Sequence, residues 1–241
     1  MENCLVTKLK GTVDNNNLPI FDAVRIHINS TAASSAAQSD RGFSCNAYPM
    51  TTLTLENIGG SFVNSEGQII GDGKTLTINN TPTPTNFYYS ANTTMILVKG
   101  KQNIYTLSVP DGNCTYIDFE DIGYASKLQS FAVCGAGQTG DLSDLSLLKL
   151  TSLTINGSPI TGNISSLAKM TTLNYVNFLS NSIIIEGDFA SWAPYYTSAK
   201  TVNVTTGSVS KLKCNGENMV NTLHKTTFTV TFDGQGGVTY A

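Results

Sequence analysis

Only two histidines occur in the 241 residues, His27 in "AVRIHIN" and His224 in "NTLHKT". Imidazole is the side chain best placed to act as a base near neutral pH. Neither histidine belongs to an HExxH pair, however, and no GxSxG elbow supplies a nucleophile. His27 alternates with Arg25 on the polar side of an expected strand, which turns it toward solvent. Carboxylates could exchange protons in "IDFEDIG", where Asp118, Glu120 and Asp121 crowd together, a pattern that also suits a solvated turn. As a calcium loop, "DGNCTYIDFEDI" from Asp111 lacks glycine at its sixth position and glutamate at its twelfth, leaving room only for a loose surface site. The stretch "GQIIGDGKT", residues 67–75, has the closing GKT of a phosphate loop, but Gln68 stands where the first glycine is needed. The strand-like "LTINN" then follows where phosphates need a helix N-terminus. The expectation is a non-enzymatic protein with no catalytic residue, cofactor or resident metal.

The bulk composition agrees with that direction. Charged residues make up 13% of the chain and the net charge is -3, with no basic cluster, so the electrostatic footprint of a nucleic-acid binder is missing. The five cysteines, Cys4, Cys45, Cys114, Cys134 and Cys214, are scattered and form no CxxC pair, which suits small buried side chains rather than disulfides or zinc. No apolar run approaches the ~20 residues of a membrane span, and "MENCLVTKLKG" has no uninterrupted apolar core of a signal peptide. Membrane insertion is not expected. Thr, Ser, Asn and Gly favour strands and tight turns over long helices.

The elements repeat. Leu128, Phe131, Val133, Gly140 and Leu142 are each followed 22 residues later by Leu150, Leu153, Ile155, Gly162 and Ile164. Leu173, Val176 and Phe178 come 23 residues after that, with Asn181 and Ile183 behind them. The shared pattern is LxxLxLxx(N/S/A)xIxGxI. It resembles the leucine-rich repeat, whose units run about 20 to 29 residues. That resemblance covers residues 128–189 and implies a short LxL strand, a turn laddered by Asn, and a convex return. Ala136 and Ser158 replace Asn in two of the three units. Weaker copies lie upstream at Leu107/Val109, Leu76/Ile78 and Leu53/Leu55, and downstream at Val202/Val204 and Val230/Phe232. The expected fold is β-rich: a leucine-rich-repeat-like parallel β solenoid over residues 42–241 with short convex helices, preceded by an N-terminal β-hairpin segment. Asp141 or Ser143, Ser165 and Asp188 are the expected helix caps. Trp192 is expected to cover the core from the convex side, and Pro194 to stop its helix.

If the LxL residues point inward, their neighbours point outward. Those neighbours are Thr75, Thr77, Thr106, Ser108, Ser152, Thr154, Tyr175, Asn177, Thr201, Asn203, Thr229 and Thr231, an exposed strand face with almost no charge. Two readings stay open. Threonine suits exposed strands for its β-propensity alone, and solenoids also present such faces to partners, here glycans or other neutral surfaces.

Residues 30–41, "STAASSAAQSDR", read as a linker or exposed loop. Ahead of them, "CLVTKLKGTV" with Leu5 and Leu9, and "AVRIHIN" with Val24, Ile26 and Ile28, form a hairpin candidate around "DNNNLP". So short a hairpin must pack on the rest of the chain or on another chain. In the second case residues 1–29 are an attachment or oligomerisation segment. The opening "NCLVTKLKGTVDNNNLPIFDAVRIHI" is similar to the N-terminal segment of structural proteins of crAss-like tailed phages that infect gut Bacteroides. The similarity implies a virion component, a head fibre or capsid decoration protein attached by that segment. Its partners would be capsid or other virion proteins, itself as a homo-oligomer, and a host-surface protein or glycan. A virion protein leaves its host by lysis and needs no export signal. The alternative is a bacterial cell-surface leucine-rich-repeat adhesin, which would need one.

Overall fold

Short segments in which every second residue is apolar, such as "SFAVC" and "SLTIN", bury one edge and expose the other, and these dominate the fold. The computed structural model describes residues 22–109, 115–135, 138, 140–157, 159–181 and 184–241. Along the chain these form β1 (Ala23–Ile28), helix α1 (Ser30–Ser35), β2 (Gly42–Ala47), β3 (Thr52–Ile58), β4 (Phe62–Val63) and β5 (Thr75–Asn79). Next come β6 (Thr85–Tyr89), β7 (Met95–Lys99), β8 (Ile104–Val109), β9 (Thr115–Ile117), helix α2 (Phe119–Ile122), β10 (Ser130–Cys134) and β11 (Ser152–Asn156). The chain continues through β12 (Gly162–Asn163), β13 (Tyr175–Phe178), β14 (Ile185–Asp188), β15 (Lys200–Thr206) and β16 (Lys211–Cys214). It ends with β17 (Glu217–Asn218), helix α3 (Met219–Leu223), β18 (Thr227–Phe232) and β19 (Val238–Tyr240).

The fold is β-rich, as expected, but it is not a parallel solenoid from residue 42 to residue 241. A ten-stranded sheet runs β19-β18-β15-β13-β11-β10-β8-β2-β6-β4. Only its middle, from β8 through β10, β11 and β13 to β15, is parallel. There Leu107, Phe131, Leu153, Val176 and Val204 are successive lateral neighbours in register. Both flanks are antiparallel. Val230 and Phe232 therefore lie on a strand that runs back along β15 and begin no further coil. Leu53/Leu55 and Leu76/Ile78 belong to a separate antiparallel sheet of order β5-β3-β7-β1-β9. Alternation reports a half-buried strand and carries no information on its direction, so these copies resembled repeats without being repeats.

The parallel strands are joined through short 3-10 or α-helical segments that pack on one another. The segments Leu142–Leu145, Ile164–Leu167 and Phe189–Tyr195 are 3-10 helical, and α2 stacks before the first of them. Each is capped by an acidic or amide side chain: Asp118 accepts from Glu120 N, Asp141 from Ser143 N, Asn163 from Ser165 N and Asp188 from Ala190 N. The caps expected at Asp141 and Asp188 are present, whereas Asn163 takes the role expected of Ser165. Trp192 is fully buried, and its indole N–H donates to Ile164 O at 2.8 Å. Pro194 lies inside its 3-10 segment, which ends one residue later. The positions expected to ladder the turn at Ala136 and Ser158 fall outside the described residues.

Residues 30–41 are not a structureless linker. Asn29 caps α1 by accepting from Ala32 N, and Ala33 is buried against the core. Leu5 and Leu9, the first strand of the expected hairpin, lie outside the described residues. Its second strand, β1, pairs with β7 on one side and β9 on the other. Val24 and Ile26 are completely buried and Ile28 nearly so. They join one apolar cluster that continues through Phe43, Leu107 and Phe131 into the repeat.

Candidate functional site

The outward side of the ten-stranded sheet is the feature that sequence and structure share most closely. One lateral row runs Thr106, Ser130, Ser152, Tyr175, Asn203 and Thr229, and ends at Asn46, which is buried and bonded to Thr81. A second runs Asn86, Ser44, Ser108, Ala132, Thr154, Asn177, Thr205 and Thr227. A shorter third joins Thr201, Thr231 and Thr239. At about 4.8 Å between strands the second row extends roughly 30–35 Å. None of these residues is Asp, Glu, Lys or Arg. Hydroxyls and amides next to one another can donate and accept in turn, as Thr229 Oγ1 and Asn203 Oδ1 do at 3.3 Å.

Ten of the twelve residues expected on this face are there: Thr106, Ser108, Ser152, Thr154, Tyr175, Asn177, Thr201, Asn203, Thr229 and Thr231. Thr75 and Thr77 are not. They are exposed on β5, an edge strand of the five-stranded sheet, because the antiparallel hairpin with β3 removes that segment from the repeat. Sequence reasoning missed Ser130 and Ala132, which flank the apolar residues of β10 just as Ser152 and Thr154 flank those of β11. It also missed Ser44, Asn86 and Tyr88, whose strands join the sheet without any LxL signature. Val24, Ile26 and Ile28, offered for attachment, are buried in this chain's own core.

Near the β2–β6 end the face deepens into a groove of about 420 Å³. Ser39, Asp40, Gly42, Ser44, Asn86 and Tyr88 line it. Gly42 pairs with Tyr88 across the strands. A Cβ on Gly42 would sit 3.2 Å from Tyr88 Cδ1 and 3.3 Å from Cε1, so the ring lies over the bare glycine.

The groups with chemical potential occupy structural posts. Asp121 binds Arg25 in a fork, with Nε to Oδ2 at 2.7 Å and Nη2 to Oδ1 at 2.8 Å, and ties α2 to β1. Asp118 is a helix cap. His27 stacks on Tyr116 at 4.8 Å, and burial followed by the charge of Arg25 holds its pKa below the usual value. In the 67–75 segment, Asp72 accepts from Lys74 N and Thr75 N, and the Lys74 ammonium donates to Gly60 O, so the loop closes on itself. Cys45, Cys134 and Cys214 are free thiols, and burial pushes the Cys214 thiol up to about 11. Among the described residues no group of three or more His, Cys, Asp or Glu is gathered as for a metal ion, and no helix is long and apolar enough to cross a membrane. Compared with family models, with curated proteins and with solved structures, the chain matches none.

Proposed function

We propose that the protein is a non-enzymatic structural component of a phage virion, a capsid-surface head fibre or decoration protein. Its ten-stranded sheet is turned outward to contact neutral protein or glycan surfaces. The observation that carries this reading is the pair of lateral rows without a charged side chain, in which polar groups from neighbouring strands lie side by side over about 30–35 Å. β-propensity alone explains threonine at single exposed positions. It does not explain why the two long rows of serines, asparagines and a half-buried tyrosine contain no charge, with Asp40 standing only in the groove at one end, because solubility favours charge on an unused face.

Within this reading the segment from β8 to β15 is a short leucine-rich-repeat-like solenoid, closed at both ends by antiparallel strands that spare it an open parallel edge. The resemblance of the opening residues supports attachment to capsid proteins and a homo-oligomeric state. Immunogold labelling with antibody against residues 42–241 tests the assignment. Gold on capsids of purified particles is expected. Gold on the envelope of uninfected bacteria, with none on particles, would instead establish the adhesin.

A further inference from the structure

Resting on the outward-facing reading above, we infer that the groove under Tyr88 is a saccharide subsite for an uncharged pyranose unit. Three observations on separate elements converge there. Its volume of about 420 Å³ lies within the range of about 300–1,000 Å³ typical of small-ligand clefts. Tyr88 supplies a half-buried aromatic ring at the groove wall, and the ring is lowered onto the sheet because position 42 has no side chain. Asn86, Ser44 and Ser39 supply an amide and two hydroxyls, which both donate and accept.

A pyranose has matching halves. Its axial C–H bonds form an apolar patch that stacks on an aromatic face, and its equatorial hydroxyls need mixed donors and acceptors at the rim. The one charged residue in the lining sets the selectivity. Asp40 accepts from Ser39 Oγ at 3.2 Å, and its carboxylate can accept from sugar hydroxyls. The same carboxylate repels sialic or uronic acids. Continuity with the second polar row, through Asn86 and Ser44 to Ser108, gives a longer chain somewhere to run after its first unit is seated.

The test is a titration of the full chain with neutral trisaccharides of glucose, galactose, mannose and N-acetylglucosamine, and with a sialylated trisaccharide, followed by two-dimensional amide NMR. At least one neutral trisaccharide is expected to move the Gly42, Ser44 and Asn86 amides, while the sialylated one does not. Tyr88→Ala is expected to weaken that binding about tenfold, and Tyr88→Phe to keep it. Gly42→Ala, whose methyl must lift the ring, is expected to fall between them. The inference is overturned if no neutral trisaccharide binds at concentrations on the order of 10 mM, or if Tyr88→Ala binds as well as the parent chain. Shifts confined to Tyr175 and Asn203 would overturn it too, while leaving the outward-facing reading intact. Failure of that reading would be seen separately, in the labelling of particles.

Discussion

A Cβ placed on Gly187 would run into the Asn163 amide and lie 2.8 Å from Ile164 Cγ1. One placed on Gly162 would lie 2.8 Å from the Asp141 carboxylate. Both glycines have φ near +125°, and each precedes the residue that caps a 3-10 segment. The close approach of these neighbouring segments therefore depends on a missing methyl. Gly187→Ala should cost about 1–3 kcal/mol, read as a lower urea midpoint with an altered near-UV signal from Trp192. Acid should act on the same ladder. Partial burial raises the pKa of Asp141, but hydrogen bonds from Ser143 N, the Ser143 hydroxyl and Thr161 outweigh it, and the net direction is down from 3.8. A depressed carboxylate stabilises the fold above its unfolded pKa, and that contribution is lost as pH falls through the lower folded value. Stability should hold above about pH 4 and drop below it, and Asp141→Asn should flatten this part of the acid unfolding curve. Asp141 and Asp188 were legible as caps because Asp ahead of an apolar turn has few other roles. Asn163 was not, since Ser165 two residues on is an equally good capping type and only the preceding glycine distinguishes the true start.

At the scale of the elements, the strand β11 divides its residues cleanly. Leu153 and Ile155 are fully buried, and Ser152 and Thr154 face outward. Leu153→Ala should cost about 2–5 kcal/mol, whereas Thr154→Ala should stay within about 0.5 kcal/mol of the parent, both read from chemical denaturation. Subtraction of residue numbers located β10, β11 and β13, because parallel neighbours joined by connections of nearly equal length bring an apolar residue back at a nearly fixed interval. It found β8 and β15 as weaker copies, because their connections are longer: 24 residues separate paired Leu107 and Phe131, and 28 separate paired Val176 and Val204. It failed for β3, β5 and β18. Antiparallel partners are set by turns rather than by coil length, so their spacing near 23 to 31 residues was coincidental. The helix α1 was hidden by its small polar residues, whose role depends on one alanine, Ala33, reaching the core.

For the whole molecule, the separation of charged and uncharged surface matters most. The ionic contacts of Arg25 with Asp121 and of Lys99 with Glu56 involve β1, β3, β7 and α2, away from the ten-stranded sheet. The long rows of its outer face are left to uncharged side chains, with Asp40 in the groove at one end. Contacts between neutral polar surfaces carry little dependence on ionic strength, because there are no charges to screen. The most direct measurement is adsorption of the full chain to host-cell surface glycans, compared with the double variant Thr154→Glu, Asn203→Glu, whose charges lie on different rows. We expect the parent chain to adsorb equally at about 50 and about 500 mM salt. We expect the variant to stay folded within about 1 kcal/mol and to lose adsorption. Adsorption that collapses with salt, or that survives both carboxylates, would contradict recognition by an uncharged sheet face.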